Sequence, residues 1–407
     1  MDGPAEEPLP LHQRPPLLLH RTRRAAALTA ALIATAALTA ACGGGSPRTP
    51  EPGPAGPQST GAAADTPRGF TLVATGDLLI HDSVIRQARA DAGGSGHDFG
   101  PMLAGARDTV AGADLAICHM ETVYGPEGGP FTGYPAFRTP PQLAEAVRET
   151  GYDSCSTASN HTLDAGAEGV IRTLDAMDRA GLAHAGSARS ATERDTPVLL
   201  TAGDARVAQL AYAYGTNGIP VPEDQPWLVN LIDPERIVAD ARAARAAGAD
   251  VVVVSMHWGT EWQEEPDSLQ LSLARELTAS ASGGRPDIDL IIGTHAHVPQ
   301  AYEKVNGTWV VYGMGDQLAG VMSDPRGQLG SAARFTFAPP AGEDGRWTVE
   351  RAEYIPFVVD NDPIRVVSLP EALAADPDDA GRSATLDRIG RAVLGRGAAE
   401  DGLTLGR

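Results

Sequence analysis

The chain has 407 residues, of which 42% are hydrophobic, and a formal net charge of −20. That length and apolar content suit one large α/β domain with tails, or two domains, and allow a sizeable buried core. The acidic balance excludes nucleic acid as a partner, and any polyanionic ligand would need a local cationic device such as a bound divalent metal.

The N-terminus reads as an address. A basic cluster, Arg21, Arg23 and Arg24, precedes an uncharged apolar stretch from Ala25 to Ala41, which ends Leu38-Thr39-Ala40-Ala41-Cys42. A basic region, an apolar region and small residues before a cut form a secretory signal. Cysteine directly after the small residues resembles a bacterial lipobox, which implies lipidation of Cys42 and attachment to the membrane, although Thr39 stands where Leu is usual. Residues 1–42 are therefore expected to be a signal with its cleavage site, and residues 43–68, rich in Gly, Pro, Ser and Thr, a flexible tether. An uncleaved anchor or simple secretion would equally place the remainder outside the cytoplasm. With Cys42 consumed, Cys118 and Cys155 remain, and both are expected to be free buried thiols.

From Phe70 the pattern changes. Apolar runs at Phe70–Ala74, Asp114–Cys118, Tyr152–Ser156, Val251–Ser255 and Ile288–Ile292 read as strands. Helical spacing separates them over Pro141–Thr150, Ala167–Ala180, Pro234–Ala247 and Leu269–Ala279. Strands alternating with helices indicate βαβ units and a largely parallel buried sheet. Gly203-Asp204 between two apolar runs signals a hairpin, and Trp309–Gly313, Ala332–Ala338 and Arg346–Phe357 read as further strands, so mixed sheets in a layered α/β structure are expected. The main domain is assigned to residues 69–360. Residues 361–407 form a C-terminal tail with one helix around Ala384–Leu394.

The polar residues cluster where these strands end. Asp77, Glu121, Asn160, His257 and the pair His295/His297 each follow an apolar run, and in open α/β sheets ligands bind outside the carboxyl ends of the strands. Carboxylate, amide and imidazole together suit Zn, Mn or Fe ions. Six candidates exceed what one tetrahedral ion needs and would suit two ions about 3.5–4 Å apart sharing a carboxylate. His119 is assigned to the strand face opposite Glu121 and to a supporting role. Asp164 is expected to cap the helix beginning near Ala165. His97 and His184 carry no functional assignment.

The motifs Ala74-Thr75-Gly76-Asp77, Met120-Glu121-Thr122, Ala158-Ser159-Asn160-His161, His257-Trp258-Gly259-Thr260-Glu261 and Gly293-Thr294-His295-Ala296-His297 resemble in their order the calcineurin-like metallophosphoesterase pattern, and Tyr212-Ala213-Tyr214-Gly215-Thr216-Asn217-Gly218 lies between the third and fourth. More closely, they resemble the CapA-type poly-γ-glutamate capsule biosynthesis family, from about Phe70 to Phe357. The resemblance implies a metallophosphatase-like α/β sandwich. It implies Asp77 and His297 on one ion, Asn160, His257 and His295 on a second, a bridging Glu121, and His161 as general acid. Trp258 would offer a stacking surface at the cleft, and Glu261 would orient a ligand. Two positions depart from the pattern: Leu79 stands where phosphoesterases have His, with His81 the nearest imidazole, and Gly315-Asp316-Gln317 replaces Gly-Asn-Phe, with Asp316 as a substitute polar contact. The implied partners are an anionic polymer such as poly-γ-glutamate and a membrane synthase. The alternatives are a secreted metallophosphoesterase and a non-catalytic module that holds polymer through metal.

Overall fold

The structure, a computed structural model, describes residues 68–342 and 345–407. The expected signal, Cys42 and the tether up to residue 67 lie outside the described residues.

Among the described residues seventeen strands follow in chain order: β1 (Phe70–Leu79), β2 (Leu115–Met120), β3 (Ser154–Ser156), β4 (Ala183–Ala185), β5 (Val198–Ala202), β6 (Ala205–Ala213), β7 (Val251–His257), β8 (Ala281–Ser282), β9 (Arg285–Pro286), β10 (Leu290–Thr294), β11 (Tyr302–Val305), β12 (Thr308–Val311), β13 (Asp316–Ala319), β14 (Leu329–Ala338), β15 (Thr348–Asn361), β16 (Ile364–Ser368) and β17 (Leu403–Leu405). One sheet runs β16-β15-β14-β1-β2-β3-β4, with β13 also on β1 and β17 also on β15; a second runs β11-β12-β10-β7-β6-β5. The centres are parallel: β1 pairs β2, and β7 lies between β6 and β10 in the same direction. Antiparallel pairing includes the hairpin β5–β6, the β11–β12 pair and the β14–β15 ladder, while the edge strand β4 is parallel to β3.

Alternation along the strands explains the layering. Leu72, Ala74, Leu115 and Ile117 from one sheet meet Val251, Val253, Leu290 and Ile292 from the other in a shared apolar layer. Their neighbours Val73, Ala116 and Cys118 point outward onto Val84, Leu143, Val147 and Met177. On the far side, Val252, Val254 and Ile291 meet Ile237, Ala241 and Leu273. Each sheet is thus buried on both faces, and its central strands are continuously apolar as a result. The covering helices are Gln142–Thr150, Gly166–Ala180, Pro234–Ala246 and Ser268–Ala279, within a residue of expectation. Their ends follow local chemistry. Asp233 accepts from the first turn of its helix, Asp267 and Gln270 form a reciprocal capping box, and Gly151 and Gly181 close two C-termini with positive φ.

The C-terminal segment joins the first sheet. β16 pairs antiparallel with β15, β17 pairs parallel with it, and the helix Ala380–Leu394 buries Ile389 and Val393 beside them. Cys118 and Cys155 sit opposite each other on β2 and β3 and are joined as a disulfide, with Cα atoms 4.4 Å apart. This corrects the expectation of two free thiols: parallel register, which spacing along the chain does not reveal, brings them together. Among the described residues no helix is long and apolar enough to cross a membrane.

Candidate metal centre

The carboxyl ends of β1, β2, β3, β7 and β10 converge on one buried cluster. At the end of β1 the register slips around Asp77, and a Cβ on Gly76 would come within 1.8 Å of the Gly315 carbonyl, so only glycine lets the strand bulge there. The bulge aims Asp77 between the sheets, where its Oδ2 accepts from the backbone N–H of His295 at 3.1 Å. His295 and His297 both have positive φ, 94° and 55°, uncommon for side-chain-bearing residues and often held at functional sites. The distortion turns two histidines two residues apart toward the same cavity.

The cluster is tight and buried. His257 Nε2 lies 2.9 Å from Asn160 Oδ1 and 3.9 Å from Glu121 Oε1. His297 Nδ1 meets Asp316 Oδ1 at 2.9 Å and Asp77 Oδ2 at 3.6 Å, and its Nε2 is 3.9 Å from Glu121 Oε1. Asp77, Glu121, Asn160, His257, His295, His297 and Asp316 are all buried. Burial, opposed by His297 and reinforced by Asp316, pushes the Asp77 carboxyl up to about 7. Burial likewise holds Glu121 and Asp316 above the usual carboxylate range. Burial drives His295 down to about 3 and His257 well below its ordinary value. His297 is the exception: against the effect of burial, Asp316, Glu121 and Asp77 keep it protonated well above the ordinary histidine range.

Several of these groups have no partner among the described residues. Asp77 Oδ1, both Glu121 carboxylate oxygens, His295 Nδ1 and Asp316 Oδ2 are buried without a hydrogen bond. Orphaned buried acceptors of this kind are costly unless something cationic meets them. Ligand-capable atoms come within 4.8 Å of one another in sets such as Glu121–His257–His295 and Asp77–His297–Asp316. A donor set of carboxylates, imidazoles and one amide fits first-row divalent ions. The residues present therefore fit a metal.

The other expected residues are distributed around this centre. Exposed Glu261 reaches His295 and His297 at the mouth, within the same 4.8 Å limit. Asp316, at the start of β13 and in register with Asp77, is a direct partner of His297. His81 leaves its Nδ1 unpartnered, and burial followed by the nearby His297 lowers its pKa to about 4. Leu79 packs with Phe137 and Ala319 and offers no ligand. Trp258 is not at the cleft. It is buried in the outer core, with its indole N–H on the Tyr312 carbonyl at 2.9 Å, because successive residues at a strand end face opposite ways and His257 takes the inner face. The aromatic rings at the mouth are Tyr214, 4.5 Å from the His295 ring, and Trp262, 5.7 Å from that of His297.

Two assignments are corrected. Asp164 does not cap its helix; the N-cap is Ala165 and has no side-chain bond. Instead Asp164 Oδ2 takes His161 Nδ1 at 2.7 Å and accepts the Phe137 N–H at 2.7 Å, tying His161 to the loop that follows β2. His161 Nε2 lies 3.5 Å from Asn217 Nδ2, and Asn217 Oδ1 accepts from Asn160 at 3.2 Å. His119 shares the inner face with Glu121, since residues two apart on a strand point the same way. Its ring stacks on His257 at 4.6 Å. His97 packs edge-on against Phe131, and His184 pairs with Asp178, both apart from this cluster.

A layered α/β fold carrying a buried carboxylate–imidazole–amide cluster at its strand ends defines a mixed α/β protein with a candidate metal-binding site. Residues 71–321, more than half of the chain and including every ligand candidate, match the model of the bacterial capsule synthesis protein PGA_cap, and the chain belongs to that family. It is 27% identical over 179 residues to the capsule biosynthesis protein CapA of Bacillus anthracis, covering 43% of this chain and 42% of that one. It is 29% identical over 229 residues to a probable polyglutamine synthesis accessory protein of Mycobacterium tuberculosis, covering 54% and 58% respectively. The matches thus span about half the length of these relatives. Among solved structures, a putative 5′-nucleotidase of Staphylococcus aureus aligns with a TM-score of 0.46 at 16% identity, covering 78% of this chain and 58% of that one. The calcineurin-like phosphoesterase YfkN of Bacillus subtilis aligns with a TM-score of 0.40 at 15% identity, covering 80% and 97%.

Proposed function

We propose that the chain acts outside the cytoplasm, tethered through lipid on Cys42, in the assembly of poly-γ-glutamate or a related anionic envelope polymer alongside a membrane synthase. We further propose that its cluster holds two divalent ions. The observation that carries this reading is the convergence of orphaned carboxylate and imidazole atoms from separate strand ends on one buried point. Asp77 and His297 would hold one ion, Asn160, His257 and His295 the other, and Glu121, with both oxygens free, would lie between them. Bound there, the ions supply Lewis acidity for hydrolysis or transfer and a positive centre for an anionic chain. On a protein of net charge −20 that centre is what would draw a polyanion in. The Cys118–Cys155 disulfide supports an oxidising compartment.

The His161–Asp164 pair favours turnover over binding alone. Asp164 fixes Nδ1 and leaves Nε2 toward Asn217 and Asn160, where it can pass a proton to a departing group. The test is replacement of the full-length chain in its own cells by the Asn160→Ala/His297→Ala variant. Loss of envelope polymer is expected; full polymer output from a stably expressed variant contradicts a catalytic role.

A further inference from the structure

Within the cluster, one pair of atoms makes no sense in the bare protein. His119 Nε2 and Asp77 Oδ1 face each other at 3.7 Å. Both are buried, and neither has a hydrogen-bond partner among the described residues. The other ring nitrogen, Nδ1, lies 2.7 Å from Ser156 Oγ. That hydroxyl directs its own hydrogen to the Cys118 carbonyl at 3.4 Å. With its hydrogen so placed, Ser156 Oγ can accept from the ring, the arrangement in which Nδ1 carries the proton and Nε2 presents a lone pair. In that tautomer a lone pair and a carboxylate oxygen, both buried, face each other and repel. At 3.7 Å no proton bridges them. The spacing does suit two ligands of one ion: bonds of about 2.0–2.2 Å to a first-row divalent metal put neighbouring ligand atoms about 3–4 Å apart. His257, stacked on His119, brings a third ligand-capable atom within 4.8 Å of these two.

We propose that His119 is a metal ligand through Nε2, sharing with Asp77 a first-row divalent cation, and that Ser156 is the positioning residue that fixes its tautomer. β-strand register supports this assignment: Asp77 pairs with His119 and His119 with Ser156 across three adjacent parallel strands, so carboxylate, imidazole and orienting hydroxyl stand in one row. A ligating histidine whose remote N–H is held by a protein acceptor has the usual supporting arrangement, and loss of that support weakens metal binding about 10–100-fold.

This inference rests on the proposed metal centre, and the experiment separates the two. The full chain is stripped with chelator and titrated with Co²⁺ alone, as wild type, His119→Ala and Ser156→Ala. Bound equivalents are read by elemental analysis and ligation by the visible absorption of the cobalt. The expected result is that His119→Ala loses one equivalent, or binds it at least 10-fold more weakly with an altered spectrum, and keeps the other. Ser156→Ala should keep both equivalents and bind that same ion about 10–100-fold more weakly. Wild-type affinity and spectrum in folded His119→Ala overturn the assignment and leave the metal centre standing. Should His119→Ala not fold, unchanged cobalt affinity in Ser156→Ala overturns it. A wild-type chain that takes up no cobalt removes both the centre and this ligand.

Discussion

Asp77→Asn should stabilise the metal-free protein while removing its response to metal. Asp77 is fully buried, and its Oδ1 lies 3.7 Å from His119 Nε2 without a hydrogen bond. Its carboxyl moves from 3.8 to about 7, equivalent to about 4 kcal/mol. The sign follows from proton linkage. Between pH 3.8 and about 7 the folded chain keeps a proton that the unfolded chain has released, so this group costs stability progressively as pH rises through that window, and the full cost is present above it. Asparagine has no proton to lose and still offers an oxygen to the His295 N–H, which Asp77 now accepts at 3.1 Å. Chemical denaturation in chelator should therefore give equal stabilities for the two proteins near pH 4. By pH 8 the variant should lead by up to about 4 kcal/mol. With an ion at a thousand times its dissociation constant, the wild type should gain about 4 kcal/mol. The variant should lose most of that gain. A metal-free variant less stable than wild type at pH 8, or an equal metal response in both, would refute the reasoning.

Other perturbations have defined outcomes. Asp164→Ala leaves His161 Nδ1 and the Phe137 N–H without their shared acceptor, so stability should fall by about 2–4 kcal/mol. Limited proteolysis should then cut around exposed Tyr134. Cys118→Ala/Cys155→Ala opens a link across a sequence separation of 37 and should cost about 4 kcal/mol, read by denaturation and matched in wild type by added reductant. Tyr214→Ala/Trp262→Ala removes the two rings at the mouth and should weaken γ-glutamyl oligomer binding at least 10-fold by calorimetry without changing metal content. Unchanged binding would assign those rings to packing alone.

The parallel centre of the fold was legible because apolar runs such as Phe70–Ala74, Val251–Ser255 and Ile288–Ile292 lead into polar ligand types, although β1 continues through Gly76-Asp77 to Leu79 and β10 through Gly293 to Thr294. What the sequence concealed was mostly a matter of faces and partners. Alternation sends His257 inward and Trp258 outward, so adjacency to a ligand misleads, whereas His119 and Glu121, two apart, share a face. Asp164 satisfies the local rule for a helix cap, yet the tertiary demand of His161 and the Phe137 N–H takes its carboxylate. The Cys118–Cys155 pairing depends on the β2–β3 register, and the role of Asp316 depends on β13 lying beside β1. Both are long-range facts with no local signature. Leu79 shows the converse: the absent imidazole was visible in the sequence, but the small apolar cluster with Phe137 and Ala319 that replaces it was not.

The most direct test of the account is the metal content of the purified chain by elemental analysis, beside the His295→Ala/His297→Ala variant. Two equivalents of Zn, Mn or Fe in the wild type, lost from a variant that remains folded, are predicted. A wild-type chain that holds no metal under any loading condition would contradict the central claim.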